Sequence, residues 1–149
     1  MNYFELMSKI KNILTQNDNV KKSFLPNSIY LSIPQSPISN DLFPIIIIHR
    51  PNLNQSSRRG SNCKNLLSLW NCPIYVSSKY GIDAVEPDYE AQNELEQSIV
   101  NALLDFEEFN DLSNNFYGIE FTDYVPDEEI EKPFIAGTIT FTIYEKYSY

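Results

Sequence analysis

The chain has 149 residues, of which 42% are hydrophobic and 13% aromatic, enough apolar mass for one packed core and too much for wholesale disorder. Its net charge of −9 argues against binding exposed duplex DNA, because phosphate contacts need lysine and arginine. The longest aliphatic run, Ile45 to Ile48, falls far short of the roughly 20 residues that span a bilayer, so no membrane partner is expected.

The first element is a helix over Met1 to Leu14. Leu6, Met7, Ile10, Ile13 and Leu14 fall on one stripe at helical spacing. This stretch lacks the basic start and apolar run of a secretory signal, so the chain is expected to be soluble and made in a cytoplasm. Gln16 to Asn19 stop the helix, and Val20 to Leu25 form a connector ending at Pro26. Ile29, Leu31 and Ile33 alternate with polar neighbours as in a strand with one buried face. Ile45 to Ile48 follow Pro44 without polar interruption and read as a central strand buried on both faces. The polar stretch from about 52 to 64 has no apolar period and is expected to be a long loop. Leu66 to Trp70 re-anchor the chain, and Pro73 to Ser78 form the next strand.

A second helix is expected to start near Asp83-Ala84-Val85-Glu86, whose spacing resembles a capping box, or at Pro87. Ala91, Leu95, Ile99, Leu103 and Phe106 form its apolar stripe, and Asn110 and Asp111 end it. Tyr117, Ile119 and Phe121 alternate in a strand. In the last strand Ile135, Ile139, Phe141 and Ile143 face one way, and Thr138, Thr140, Thr142 and Tyr144 the other. The fold class is α+β: one small domain over 1–149, a mostly antiparallel sheet of four to five strands with two helices packed on one face.

Charge is divided along the chain. Residues 1 to 79 hold nine basic residues against three acidic, a net of +6. Residues 80 to 149 hold two against seventeen, a net of −15. Between Gly81 and Glu131 there are sixteen acids and no lysine or arginine. Such a bipolar protomer repels copies side by side and attracts them head to tail, a contact that generates rings or filaments.

Catalytic signatures are sparse. The single histidine, His49, lies beside Arg50 at a strand end, where a structural role is expected; dyads and most zinc sites need a histidine with placed partners. The four glycines, at 60, 81, 118 and 137, are too dispersed for a phosphate loop. Asp127, Glu128, Glu129 and Glu131 lack the alternating ligands and turn glycine of a calcium loop and are expected to be a solvated connection. Cys63 and Cys72 match no metal or redox spacing and are expected to be thiols, with a disulfide between them as the alternative. No catalytic residue, metal or cofactor is assigned, and the chain is not expected to be an enzyme.

In size and element order the chain resembles the tail terminator, or tail completion (head–tail joining), proteins of tailed bacteriophages. The resemblance rests on the opening helix Met1 to Leu14, the strands around Tyr30 and at Ile45 to Ile48, and the strand Pro73 to Val76. The helix Asp88 to Phe106 and the final strand pair ending at Thr138 to Tyr144 complete it. It implies a homohexameric ring in a virion tail or neck. Such a ring caps tail tube or sheath subunits, docks to a head connector or neck protein, and lets DNA pass through its lumen. The expected contact residues are the basic Arg58, Arg59 and Lys64 and the acidic Glu94, Glu107, Glu108, Asp127, Glu128 and Glu129. The alternative reading of the charge is an acidic inhibitor or nucleic-acid mimic that binds a basic host protein.

Overall fold

The computed structural model describes residues 1–57 and 65–148. Helix α1 (Tyr3–Gln16) starts where Asn2 supplies a cap. Its side chain accepts from the Glu5 N–H at 2.8 Å, and the Glu5 carboxylate accepts from the Asn2 N–H at 3.2 Å. The residues this helix buries are Leu6, Met7, Ile10, Ile13 and Leu14, the stripe its sequence predicts. Asn17 ends α1 and caps the single-turn α2 (Asp18–Lys21), its side chain accepting from the Asn19 and Val20 N–H groups.

Among the described residues six strands follow in one sheet: β1 (Ile29–Leu31), β2 (Ile45–Ile48), β3 (Asn52–Ser57), β4 (Asn65–Lys79), β5 (Phe116–Pro126) and β6 (Phe134–Ser148). The order is β1-β2-β4-β6-β5, with β3 also on β4. The pair β1–β2 is parallel and every other pair antiparallel. The α+β class is as expected, but the sheet is mixed and has one strand more than the upper expectation, and α2 makes a third helix.

Two strands depart from the sequence reading. Residues 52–57 are not loop but β3, in register with β4 from Asn52↔Asn71 to Ser57↔Leu66. Their polar composition hides them, because a hairpin ladder is satisfied through the backbone. The two expected segments Leu66–Trp70 and Pro73–Ser78 are one strand, β4, which pairs with β6 from Asn65↔Ser148 to Lys79↔Phe134. Pro73 is tolerated inside it because it lies beside the gap between β2 and β3, where the ladder stops at Ile48↔Ile74 and resumes at Asn52↔Asn71.

Helix α3 (Tyr89–Leu104) begins later than either the Asp83–Glu86 spacing or Pro87 suggests. Asp88 is its cap, accepting from the Ala91 N–H at 3.1 Å. It also ends earlier, at Asp105; 3-10 turns at Glu107–Asn110 and Leu112–Asn114 carry the chain to β5.

Helices α1, α2 and α3 pack on one face of the sheet. There Ile46, Ile48, Trp70, Cys72, Ile74, Val76, Ile139, Phe141 and Ile143 join Leu6, Ile10 and Leu14 of α1 and Ile99 and Leu103 of α3 in one buried cluster. Phe109 is buried edge-on against Phe116, with ring centroids 5.2 Å apart. Burial raises the Cys72 thiol to about 12, so it behaves as a small apolar core residue. All four residues of β2 are buried, as expected. The opposite face of β6 is polar: Thr142 donates to Asn71 at 3.0 Å and lies 3.3 Å from Thr122, which donates to the Thr140 carbonyl at 3.1 Å.

Candidate assembly interface

A groove of about 410 Å³ separates the outer flank of α3 from the edge strand β5. Asn93, Glu96, Gln97, Val100 and Leu104 line it from the helix, Phe121 and Tyr124 from the strand, and Ile139 of β6 lies beneath. Phe121 is 44% exposed and Tyr124 39%, so two aromatic rings face solvent over an apolar floor.

A bulge puts both rings there. On a strictly alternating strand, residues 121 and 124 would face opposite sides. The register instead shifts between Phe121 and Asp123, so Phe121 sits across from Phe141 and Tyr124 across from Ile139, two residues of one face.

Buried polar groups form one wall. Gln92 is buried, donates to the Val76 carbonyl and to the Glu96 carboxylate, both at 3.2 Å, and accepts from the Ser78 hydroxyl. The Tyr124 hydroxyl bonds to Glu96 in turn, and burial and that carboxylate push its pKa up. The network joins β4, α3 and β5 across β6 at Gly137. A Cβ there would stand 2.5 Å from the Tyr124 hydroxyl oxygen and 2.9 Å from a Glu96 carboxylate oxygen, so any larger residue must push these two side-chain ends aside.

A second hollow, about 530 Å³, shares Asn93, Glu96 and Tyr124 with the first and extends it to Asp127 and Glu128. The two form a trough with an apolar floor, and its rim carries Glu96, Asp127 and Glu128 with Lys132 among them. The Asp127 carboxylate accepts from the Tyr75 hydroxyl at 3.4 Å and from the Glu129 N–H at 3.2 Å.

The expected contact residues are only partly brought together. Asp127 and Glu128 border the trough, and Glu129 is exposed beside them. Glu94 lies on the other flank of α3, beside Ser23 and Lys79. Glu107 is exposed just past the C-terminus of α3. Glu108 is held within the chain by an ion pair with Lys9 at 2.8 Å. Arg58, Arg59, Lys64 and Cys63 lie outside the described residues. The sequence reading missed Phe121 and Tyr124 as groove residues because the bulge leaves no residue-type signal. It missed Gln92 because glutamine reads as surface.

His49 is half-buried, its ring 6.4 Å from that of Tyr75, and burial lowers its pKa. Among the described residues, no three His, Cys, Asp or Glu side chains are grouped to hold a metal ion, and no helix is long and apolar enough to cross a membrane.

No protein-family model matches the chain, and neither does any curated protein sequence. Solved structures do match in fold. One is a chain from a structure described as the virion of a native gene transfer agent (GTA) particle: it aligns over 95% of both chains with a TM-score of 0.65 and 11% sequence identity. At that identity the likeness is one of fold, and it spans the helices and the sheet together.

Proposed function

We propose that this chain is a structural virion protein of a phage-like particle, a tail terminator or neighbouring neck protein. It closes into a homomeric ring, of six copies by the resemblance, and this ring caps the tail tube or sheath and docks to the head connector. The observation that carries the reading is the fold likeness, over 95% of both chains, to a chain of a gene transfer agent virion. Two features of this chain support it independently. Its charge is bipolar, which favours head-to-tail contacts, and it exposes an aromatic groove beside an edge strand.

The test is genetic and structural. Particles assembled without this chain should carry tails of uncontrolled length, or tails that fail to join heads, when measured by electron microscopy. Tails of normal length on filled, joined heads would refute the reading.

A further inference from the structure

The proposed ring needs two complementary surfaces on each copy, and one of them is visible as the trough between α3 and β5. Its floor is apolar and its rim carries Glu96, Asp127 and Glu128. Lys132 lines the same hollow, but among the described residues the ion pairs are Lys9–Glu108 and the Met1 amino group with Glu145, so no described cation is paired with that rim. Helix α3 adds to the field: its last turn has no basic residue, and Asp105 caps its negative end. A matching occupant presents an apolar knob flanked by cations.

One corner of the same chain has that form. Leu25 is 54% exposed and follows Lys21 and Lys22, both exposed. The corner is preorganised: Phe24 beneath it is buried, its N–H donates to the Val20 carbonyl at 2.9 Å, and the Ser28 N–H donates to the Leu25 carbonyl at 2.9 Å. Two other exposed apolar residues of the basic half fit less well, and Ile33, although more exposed, has no lysine or arginine within ten positions in sequence. Tyr3 is stacked under Arg50 at 4.1 Å, and Phe4 stands next to Glu5.

We propose that the trough between α3 and β5 receives the Lys21–Leu25 corner of a second copy. Leu25 seats against the Phe121–Tyr124 wall, and Lys21 and Lys22 face Glu96 and Glu128. The trough and the corner lie on opposite flanks of α3. Asn93, Gln97 and Val100 line the trough, whereas Ser23 shares a hollow with Ala91 and Leu95 on the other side. The contact is therefore heterologous, and repeating it closes a ring when the rotation allows. The inference rests on the proposed self-assembly and adds which surfaces carry it.

A charge-swap experiment tests it. One variant carries Lys21→Glu and Lys22→Glu, giving an acidic corner. The other carries Asn93→Lys and Gln97→Lys, giving a basic trough. Native mass spectrometry at low salt reads association, and circular dichroism with a thermal melt checks that both variants fold. Each variant alone should associate roughly ten- to a hundredfold more weakly than the unaltered chain. Mixed, they should assemble again, because every alternating contact is then complementary. Leu25→Ser should weaken association without a change of charge. The proposal is overturned if either variant associates like the unaltered chain, or if the folded variants stay apart when mixed. In both cases the ring reading survives as long as the unaltered chain assembles. An unaltered chain that remains monomeric at every salt concentration refutes self-assembly and this contact together.

Discussion

Helix α3 has two unlike flanks. On one, Ile99 and Leu103 are fully buried against α1 and the sheet. On the other, Val100 and Leu104 border a groove whose strand wall, Phe121 and Tyr124, faces solvent. Neighbouring residues of the same chemistry thus meet different fates. The sealed flank holds the fold together; the open flank keeps apolar area that folding does not use. An edge strand with unpaired backbone groups beside exposed aromatic rings invites another chain, and only the acidic rim discourages indiscriminate pairing.

Adjacent leucines break this comparison most directly. Leu103→Ala should cost about 2–5 kcal/mol by denaturant unfolding, since the site is closed and leaves a cavity. Leu104→Ala, one position along, removes a side chain that is only partly covered and should cost about 1 kcal/mol, yet weaken self-association. Equal losses of stability at the two positions would mean that the groove is ordinary core.

Gly137→Ala probes the wall between the flanks. The added methyl meets the Tyr124 hydroxyl and Glu96, so the network must part, and a loss of about 1–3 kcal/mol is expected from thermal or chemical melts. A neutral outcome would show that Tyr124 swings aside without cost and that the network does not fix the groove. Asp88→Ala removes the cap of α3 and should cost about 1 kcal/mol while leaving the groove intact.

The pH dependence should be weaker still. Burial lowers the His49 pKa, so the folded state binds fewer protons than the unfolded chain below the ordinary histidine range. Stability should therefore fall as pH drops from neutral through the unfolded value of about 6.5. His49→Gln should flatten that stretch of the profile. At the alkaline end the sign reverses. The raised pKa of Tyr124 keeps it protonated in the fold, so stability is lost as pH rises past about 10, less so in Tyr124→Phe.

Elements defined by a strong period were legible in the sequence. The α1 stripe buries the residues that helical spacing selects, and the two faces of β6 separate into aliphatic and threonine sets. Elements held by partners rather than by period were not. Nothing in Asn-Leu-Asn-Gln-Ser-Ser marks β3, which exists because β4 offers it a ladder. The Asp83–Glu86 spacing resembles a cap, but the helix is set by Asp88. The candidate site was the least legible part. Its acidic rim shows in the charge run, whereas its strand wall depends on one bulge in β5, and the network beside it depends on a buried glutamine with partners 14 and 16 residues away.

Native mass spectrometry of the purified chain across ionic strength tests the central claim of head-to-tail self-assembly. A single closed oligomer at low salt that falls apart as salt rises is the expected result, because screening removes the attraction between the basic corner and the acidic trough. A monomer at every ionic strength would contradict it.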